Sequence, residues 1–216
     1  AYQVFAELGD PTGTAWCDGL LAYVRYYQAR FAEANTLARD SFDAAKRRGD
    51  RWGQAMSLVV VGATDLWEGQ SAASAKRTAD ALKLFEQMHD MSWVRQTTAL
   101  HARALAASGR VTESLAALER LDSGSEHSGW IGQPLMVTAG VLATLVHLGG
   151  GSTDGDRLFD DILSAVEGAE NPAPVELYNA AILASLQRGS LDRAIEFAAL
   201  CEREPGESGQ APSVVR

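Results

Sequence analysis

Residues 26–34 read Tyr26-Tyr27-Gln28-Ala29-Arg30-Phe31-Ala32-Glu33-Ala34, and residues 49–55 read Gly49-Asp50-Arg51-Trp52-Gly53-Gln54-Ala55. Each stretch sets a small residue, Ala29 or Gly49, before a fresh run with helical character. Working outward, Ala29, Gly69, Gly109, Gly149 and Gly189 recur at intervals of 40 residues. Gly9, Gly49 and Gly129 keep the same interval, with His89 where a Gly is expected. Two interleaved turn series divide every repeat into two segments, and each segment spaces its apolar residues as a helix does. Self-similarity at this period marks a helical solenoid. The expected fold is therefore all-α: a right-handed α-solenoid of about five helix-turn-helix repeats, preceded by an N-terminal half repeat.

The apolar stripes set the boundaries. Residues 1–13 take the place of the last helix of a truncated preceding repeat, with Phe5 in register with Ala45 and Phe85. The repeats then span about 14–49, 50–89, 90–129, 130–170 and 171–204, and residues 205–216 read as a polar tail. In the first repeat Trp16, Leu20, Leu21, Val24 and Tyr27 lie on one helix, and Phe31, Ala34, Leu37, Ala38, Phe42 and Ala45 on the next. Lys46, Arg47 and Arg48 complement the dipole at that helix's end, and Gly49 supplies its cap. Asp50 is the expected cap of the next helix, Ser71 the start of its partner and Ser92 the cap of the third repeat. Asp122 to Pro134 and Gly149 to Gly155 read as longer loops. No run alternates long enough to make a sheet.

Composition narrows the function. Of 216 residues 46% are apolar, enough for a substantial core. Nineteen basic against 28 acidic residues give a net charge of −9, which argues against a nucleic-acid backbone as ligand. Cys17 and Cys201 fall in the first and last repeats, too far apart in a stacked array for a disulfide, which fits a reducing compartment. No apolar run approaches the roughly 18 residues that span a bilayer. There is no secretory signal and residue 1 is Ala, so the chain reads as a cytoplasmic piece of something longer.

The turns resemble those of the tetratricopeptide repeat. That family places a small residue in the middle of its first helix, here Ala22, Gly62 and Ala102. It places an aromatic or Leu two residues after the turn, here Phe31, Val111 and Leu191, and a small residue five after it, here Ala34, Ser74, Ser114 and Ala194. Ser71 replaces the aromatic in the second repeat, and Leu142 and Gly151 break the pattern in the fourth. The 40-residue period is longer than the family's usual one of about 34. Repeats of this length resemble those of large ATP-binding bacterial regulators, including LuxR-type activators and the antibiotic regulatory proteins of actinomycetes. The resemblance implies an array that binds partners on the wall formed by its first helices.

Chemistry has little footing in the sequence. His89, His101, His127 and His147 form no metal-type pair, and neither cysteine has a histidine nearby in sequence. Gly149 to Gly155 is followed by Asp156 where a phosphate loop needs Lys, and Asp154, Asp156, Asp160 and Asp161 lack calcium-loop spacing. The expectation is no enzyme, no catalytic residue, no metal and no cofactor. What remains is the groove. The family's groove positions fall on Trp16, Tyr23, Tyr26 and Tyr27, on Met56, Val59, Ala63, Leu66 and Trp67, on Gln96, Arg103 and Ala107, and on Met136, His147, Asn179 and Gln187. From these Tyr23, Tyr27, Met56, Trp67, Arg103 and His147 are the ligand candidates, because polar-tipped aromatics, Met and Arg favour partner surfaces. Trp16, Trp52, Trp93 and Trp130 begin their units and are expected to pack between repeats. The leading reading is an interaction or sensor module of a larger transcriptional regulator, taking a protein or peptide segment or a small effector in its groove. A dedicated effector receptor is the alternative, and an enzyme with an inter-repeat site a third. No direct nucleic-acid or membrane binding is expected, and a homo-oligomer is open to an array with an exposed end.

Overall fold

The computed structural model describes residues 1–28, 30–122, 140–141, 143–145, 148 and 175–203. Among these residues there is no strand, and the fold is all-α, built from successive helical hairpins. The helices are α1 (Tyr2–Glu7), α2 (Pro11–Tyr27), α3 (Phe31–Arg48), α4 (Arg51–Trp67), α5 (Ser71–Gln87), α6 (Met91–Ala107), α7 (Val111–Asp122), α8 (Val175–Gln187) and α9 (Leu191–Arg203). Most of the fourth repeat, the Gly149 to Gly155 turn and the tail lie outside the described residues. Two compact units, Ala1–Thr97 and Thr98–Arg216, divide the chain within α6.

One turn recurs. Gly9, Gly49, Gly69, Gly109 and Gly189 are left-handed, with φ between 64° and 78°, and His89 joins them at 56°. In all six turns the following amide donates to the carbonyl five residues back. Asp50 reaches Ala45 at 2.9 Å, Gln70 reaches Asp65 at 2.7 Å and Asp90 reaches Phe85 at 3.1 Å. The left-handed residue's own amide donates three residues back, as from Gly49 to Lys46 and from His89 to Glu86. This double closure satisfies the carbonyls that a helix end leaves open. His89 thus performs the turn that its place in the Gly series requires. Ala29, Gly129 and Gly149 lie outside the described residues.

First helices start on a matching device. The Asp10 carboxylate accepts from the amides of Thr12 and Gly13 at 2.9 and 3.1 Å, with Pro11 opening the helix. Asp50 accepts from Gly53 at 2.8 Å, and Asp90 from Trp93 at 3.3 Å. These caps correct two sequence boundaries. The first repeat starts at Pro11, taking three residues from the 1–13 segment, because the aspartate directly after a left-handed Gly reaches the free amides first. For the same reason Asp90, not Ser92, caps α6. Second helices start differently: Arg30 and Gln70 make no side-chain cap, and Ser71 is the first residue of α5. Arg30 and Arg110 instead bond Glu33 and Glu113, each at 2.7 Å.

Small residues let the helices of the first unit approach. Each of α1 to α4 packs on the helix that follows it, and α2 also meets α4. The core between α2, α3 and α4 is Ala22, Ala34, Ala38, Val60 and Val61. Ala22, Ala34, Ser74, Ala102 and Ser114 are fully buried. A Cβ on Gly62 would stand 3.0 Å from Thr78 Cγ2, so α4 and α5 approach closely there and any larger residue requires Thr78 to give way. Two positions after the turn, Phe31 stacks on Trp67 with ring centroids 5.9 Å apart. Val111 and Leu191, at 48% and 60% exposure, plug no gap. The buried face of α3 runs through Ala34, Ala38, Ser41 and Ala45, so Ser41 takes the place expected for Phe42, which is half-buried.

Polar groups tie neighbouring helices together. Asn35 Nδ2 donates to the buried Thr64 Oγ1 at 3.0 Å, linking α3 to α4. Asp65, buried in α4, pairs with Arg77 of α5. In the second unit Ser114 Oγ donates to the Ala102 carbonyl at 2.8 Å, joining α7 to α6. There α8 and α9 pack as a hairpin around Tyr178, Ile182 and Phe197, with Arg193 5.5 Å over the Phe197 ring. Among the described residues no helix is long and apolar enough to cross a membrane.

Candidate functional site

The same small residues that bring α2, α3 and α4 together leave a hollow where they face one another without bulk. Gly19 of α2 opposes Ala38 and Ser41 of α3, and a Cβ added to Gly19 would meet only Ser41 Oγ, at 3.9 Å. Trp52, Met56 and Val60 of α4 form a second wall, and Trp93 from the start of α6 closes one side. The cleft encloses about 190 Å³, and all its lining residues belong to the first compact unit. Trp16 and Leu20, at 53% and 43% exposure, line it and reach solvent. Trp16 is therefore not the inter-repeat core residue that its position suggested.

Behind the cleft runs a continuous set of ring contacts. Trp93 stacks on the fully buried Phe85 at 5.8 Å and meets Trp52 at 6.4 Å and Tyr23 at 6.5 Å, both edge-on. Tyr23 contacts Tyr27, Tyr27 contacts Tyr26, and Tyr26 contacts Phe31, which stacks on Trp67. Two hydrogen bonds fix the orientation. Tyr27 Oη donates to Tyr23 Oη at 3.1 Å, and Trp67 Nε1 donates to Tyr26 Oη at 2.9 Å. Edge-on and offset pairs of this kind add roughly 0.5–1.5 kcal/mol each beyond burial.

Two polar groups in the cleft lack partners. Ser41 is 6% exposed and its Oγ makes no hydrogen bond, not even back to its own helix. Arg48 Nε is likewise buried without an acceptor. The Arg48 Nη2 lies 3.6 Å from Asp50 Oδ2, while the other Asp50 oxygen caps α4. Buried polar atoms are nearly always satisfied, and each one left open costs about 1–3 kcal/mol. Both belong to residues that line the same apolar cleft.

The candidates read from sequence divide accordingly. Tyr23 and Met56 line the cleft. Tyr27 and Trp67 belong to the ring set behind it, holding Tyr23 and Tyr26 in place. Val59 and Ala63, expected on the groove wall, are buried. Arg103 is half-buried in the second unit, where Asn179 is 2% exposed with neither amide atom bonded. His147 and Met136 lie outside the described residues. Sequence reasoning left out Gly19, Ser41 and Arg48, and gave Trp52 and Trp93 only a packing role. One signal was there: Ser41 sits on the stripe of Ala34, Ala38 and Ala45, where a polar residue is out of place. Arg48 carries no such signal, because a basic residue in the last turn of a helix is accounted for by the dipole alone.

Titration adds one feature at the edge of this region. Burial, and then the charge of Asp40, push the Asp18 carboxyl above the usual aspartate range. Cys17, its neighbour, is a free, half-buried thiol. Among the described residues no three His, Cys, Asp or Glu groups gather as metal ligands. No family model, no curated protein and no solved structure matches the chain.

Proposed function

We propose that this chain is a non-enzymatic sensor module, the ligand- or partner-binding repeat region of a larger bacterial transcriptional regulator. The cleft between α2, α3 and α4 is its receiving site. The observation that carries the reading is the pairing of an apolar, aromatic-walled hollow with the unsatisfied Ser41 hydroxyl at its base. Ligand sites have this composition, mostly apolar walls with a few placed polar groups. The helical repeat pattern and its turns support the regulator half of the proposal, through the resemblance to tetratricopeptide arrays. An occupant that touches α2, α3, α4 and α6 at once favours one packing of these helices over another, and such a bias is what an attached output domain could read.

The test is a thermal-shift screen of metabolites and short peptides against the protein and its Gly19→Val variant. A Val side chain projects from α2 toward Ser41, into the hollow. A true occupant at 100 times its dissociation constant adds about 2.7 kcal/mol of stability to the unmodified protein. That gain should vanish in Gly19→Val. Finding no compound whose effect depends on Gly19 would remove the reading.

A further inference from the structure

We infer that the cleft is built for a small aromatic acid: one or two fused rings bearing a carboxylate and a ring N–H or O–H. This rests on the cleft being the receiving site, and three observations narrow the occupant.

The first is size and shape. A dry cavity of about 150 Å³ accommodates benzene. At about 190 Å³, this one suits a single ring or a fused pair, well short of a drug-sized ligand or a folded peptide. Tyr23, Met56 and Trp93 offer aromatic or polarisable groups that suit contact with a flat ring.

The second is the pair of open polar atoms. Arg48 Nε–H can only donate, so its partner must be an acceptor. Ser41 Oγ can accept or donate, and a ring N–H or O–H would complete it. Ser41 and Arg48 are seven residues apart on α3, which puts both on one helix face with Cα atoms about 10 Å apart along the axis. A ring system carrying a short acidic arm spans that interval.

The third is charge. In a chain of net charge −9, residues 46–51 hold Lys46, Arg47, Arg48 and Arg51 against the single acid Asp50. Asp50 engages Arg48 Nη2 at 3.6 Å through one oxygen and caps α4 through the other, so Arg48 Nε is the donor left open at this end of the cleft. A carboxylate there gains a charge-assisted hydrogen bond, roughly twice as strong as a neutral one.

The experiment compares indole-3-acetate with indole-3-acetamide, nearly equal in size and differing in one oxygen replaced by NH2 with loss of the charge, by calorimetric titration of the full chain. The acid should bind about tenfold or more tighter than the amide. Arg48→Met, which keeps the length of the apolar stem, should weaken the acid about tenfold or more and the amide by much less, bringing the two affinities together. Ser41→Ala should weaken both by a similar factor. Near-ultraviolet circular dichroism of the tryptophans reports that each variant keeps its packing. Equal binding of acid and amide, or an acid affinity indifferent to Arg48→Met, would overturn the inference. If neither indole binds while another compound stabilises the protein in a Gly19-dependent way, the inference falls and the sensor reading stands. If nothing binds in that way, both fall.

Discussion

His89 occupies a place where the other five described turns of its kind use Gly, which makes His89→Gly a sharp test of the repeat. Its φ of 56° lies in the left-handed region, which costs an L-residue roughly 1–2 kcal/mol. Glycine removes that cost but gives the unfolded chain more freedom, worth about 0.4–1 kcal/mol in the opposite direction. The net expectation is a gain of about 0.5–1 kcal/mol. The backbone bonds of the turn need no adjustment. Asp90 to Phe85 and His89 to Glu86 at 3.1 Å match Asp50 to Ala45 at 2.9 Å and Gly49 to Lys46 at 3.2 Å. The imidazole is exposed, so little packing is lost. The counterpart is Gly49→Ala, at φ 71°, which should lose about 0.5–1 kcal/mol, the same steric cost less the reduced freedom of the unfolded chain. Urea unfolding measures both, and the midpoints should move in opposite directions with unchanged slope. In a thermal melt the His89→Gly gain appears as a rise of about 1–4 °C, taking about 2–4 °C per kcal/mol for a chain of this size. A His89→Gly midpoint below that of the parent would show that the turn is not the strained member of a Gly series, and the reasoning would fail.

Three further predictions follow from the packing. Arg77→Ala leaves the carboxylate of Asp65, 2% exposed, without its counter-ion, and should cost about 2–3 kcal/mol in urea unfolding; this is at or below the low end for broken buried pairs because Arg77 is 31% exposed. Gly62→Val places a branched side chain where even a Cβ comes within 3.0 Å of Thr78 Cγ2, and overpacking of this kind should cost about 1–3 kcal/mol by the same assay. Asp18→Asn should stabilise slightly at neutral pH, by about 0.5 kcal/mol or less. Its folded-state pKa is raised, so native Asp18 holds its proton more tightly than the unfolded chain does, and stability is lost as pH rises from the ordinary aspartate range through that higher value. The gap between Asp18→Asn and its parent should therefore close on acidification below the ordinary aspartate pKa, and a gap independent of pH would contradict the assignment.

Much of the architecture was legible along the chain because helix ends are decided locally. A left-handed turn needs Gly, or occasionally a tolerated residue such as His89, and a helix start needs a short acceptor such as Asp50; both leave marks at fixed spacing. Asp10 and Asp90 carry the same mark as Asp50, on the same 40-residue interval, and would have placed the starts of α2 and α6 without a structure. The small residues at Ala22, Gly62 and Ala102 were legible for a similar reason, since close helix approach tolerates no other size.

The cleft was not legible in this way. Its walls come from four helices, and whether Trp52 and Trp93 pack between repeats or face a hollow depends on how far α2 and α4 are held apart. Whether Ser41 and Arg48 are satisfied depends on what neighbouring backbones offer, which no local pattern records. Periodic apolar and turn residues determined that helices form, where they end and which faces they bury, because those outcomes follow from contacts a few residues apart. Only the tertiary structure decided that Gly19, Ser41, Arg48 and Trp93 share one space, because that juxtaposition is set by interhelical distances to which residues up to 74 positions apart in the sequence contribute.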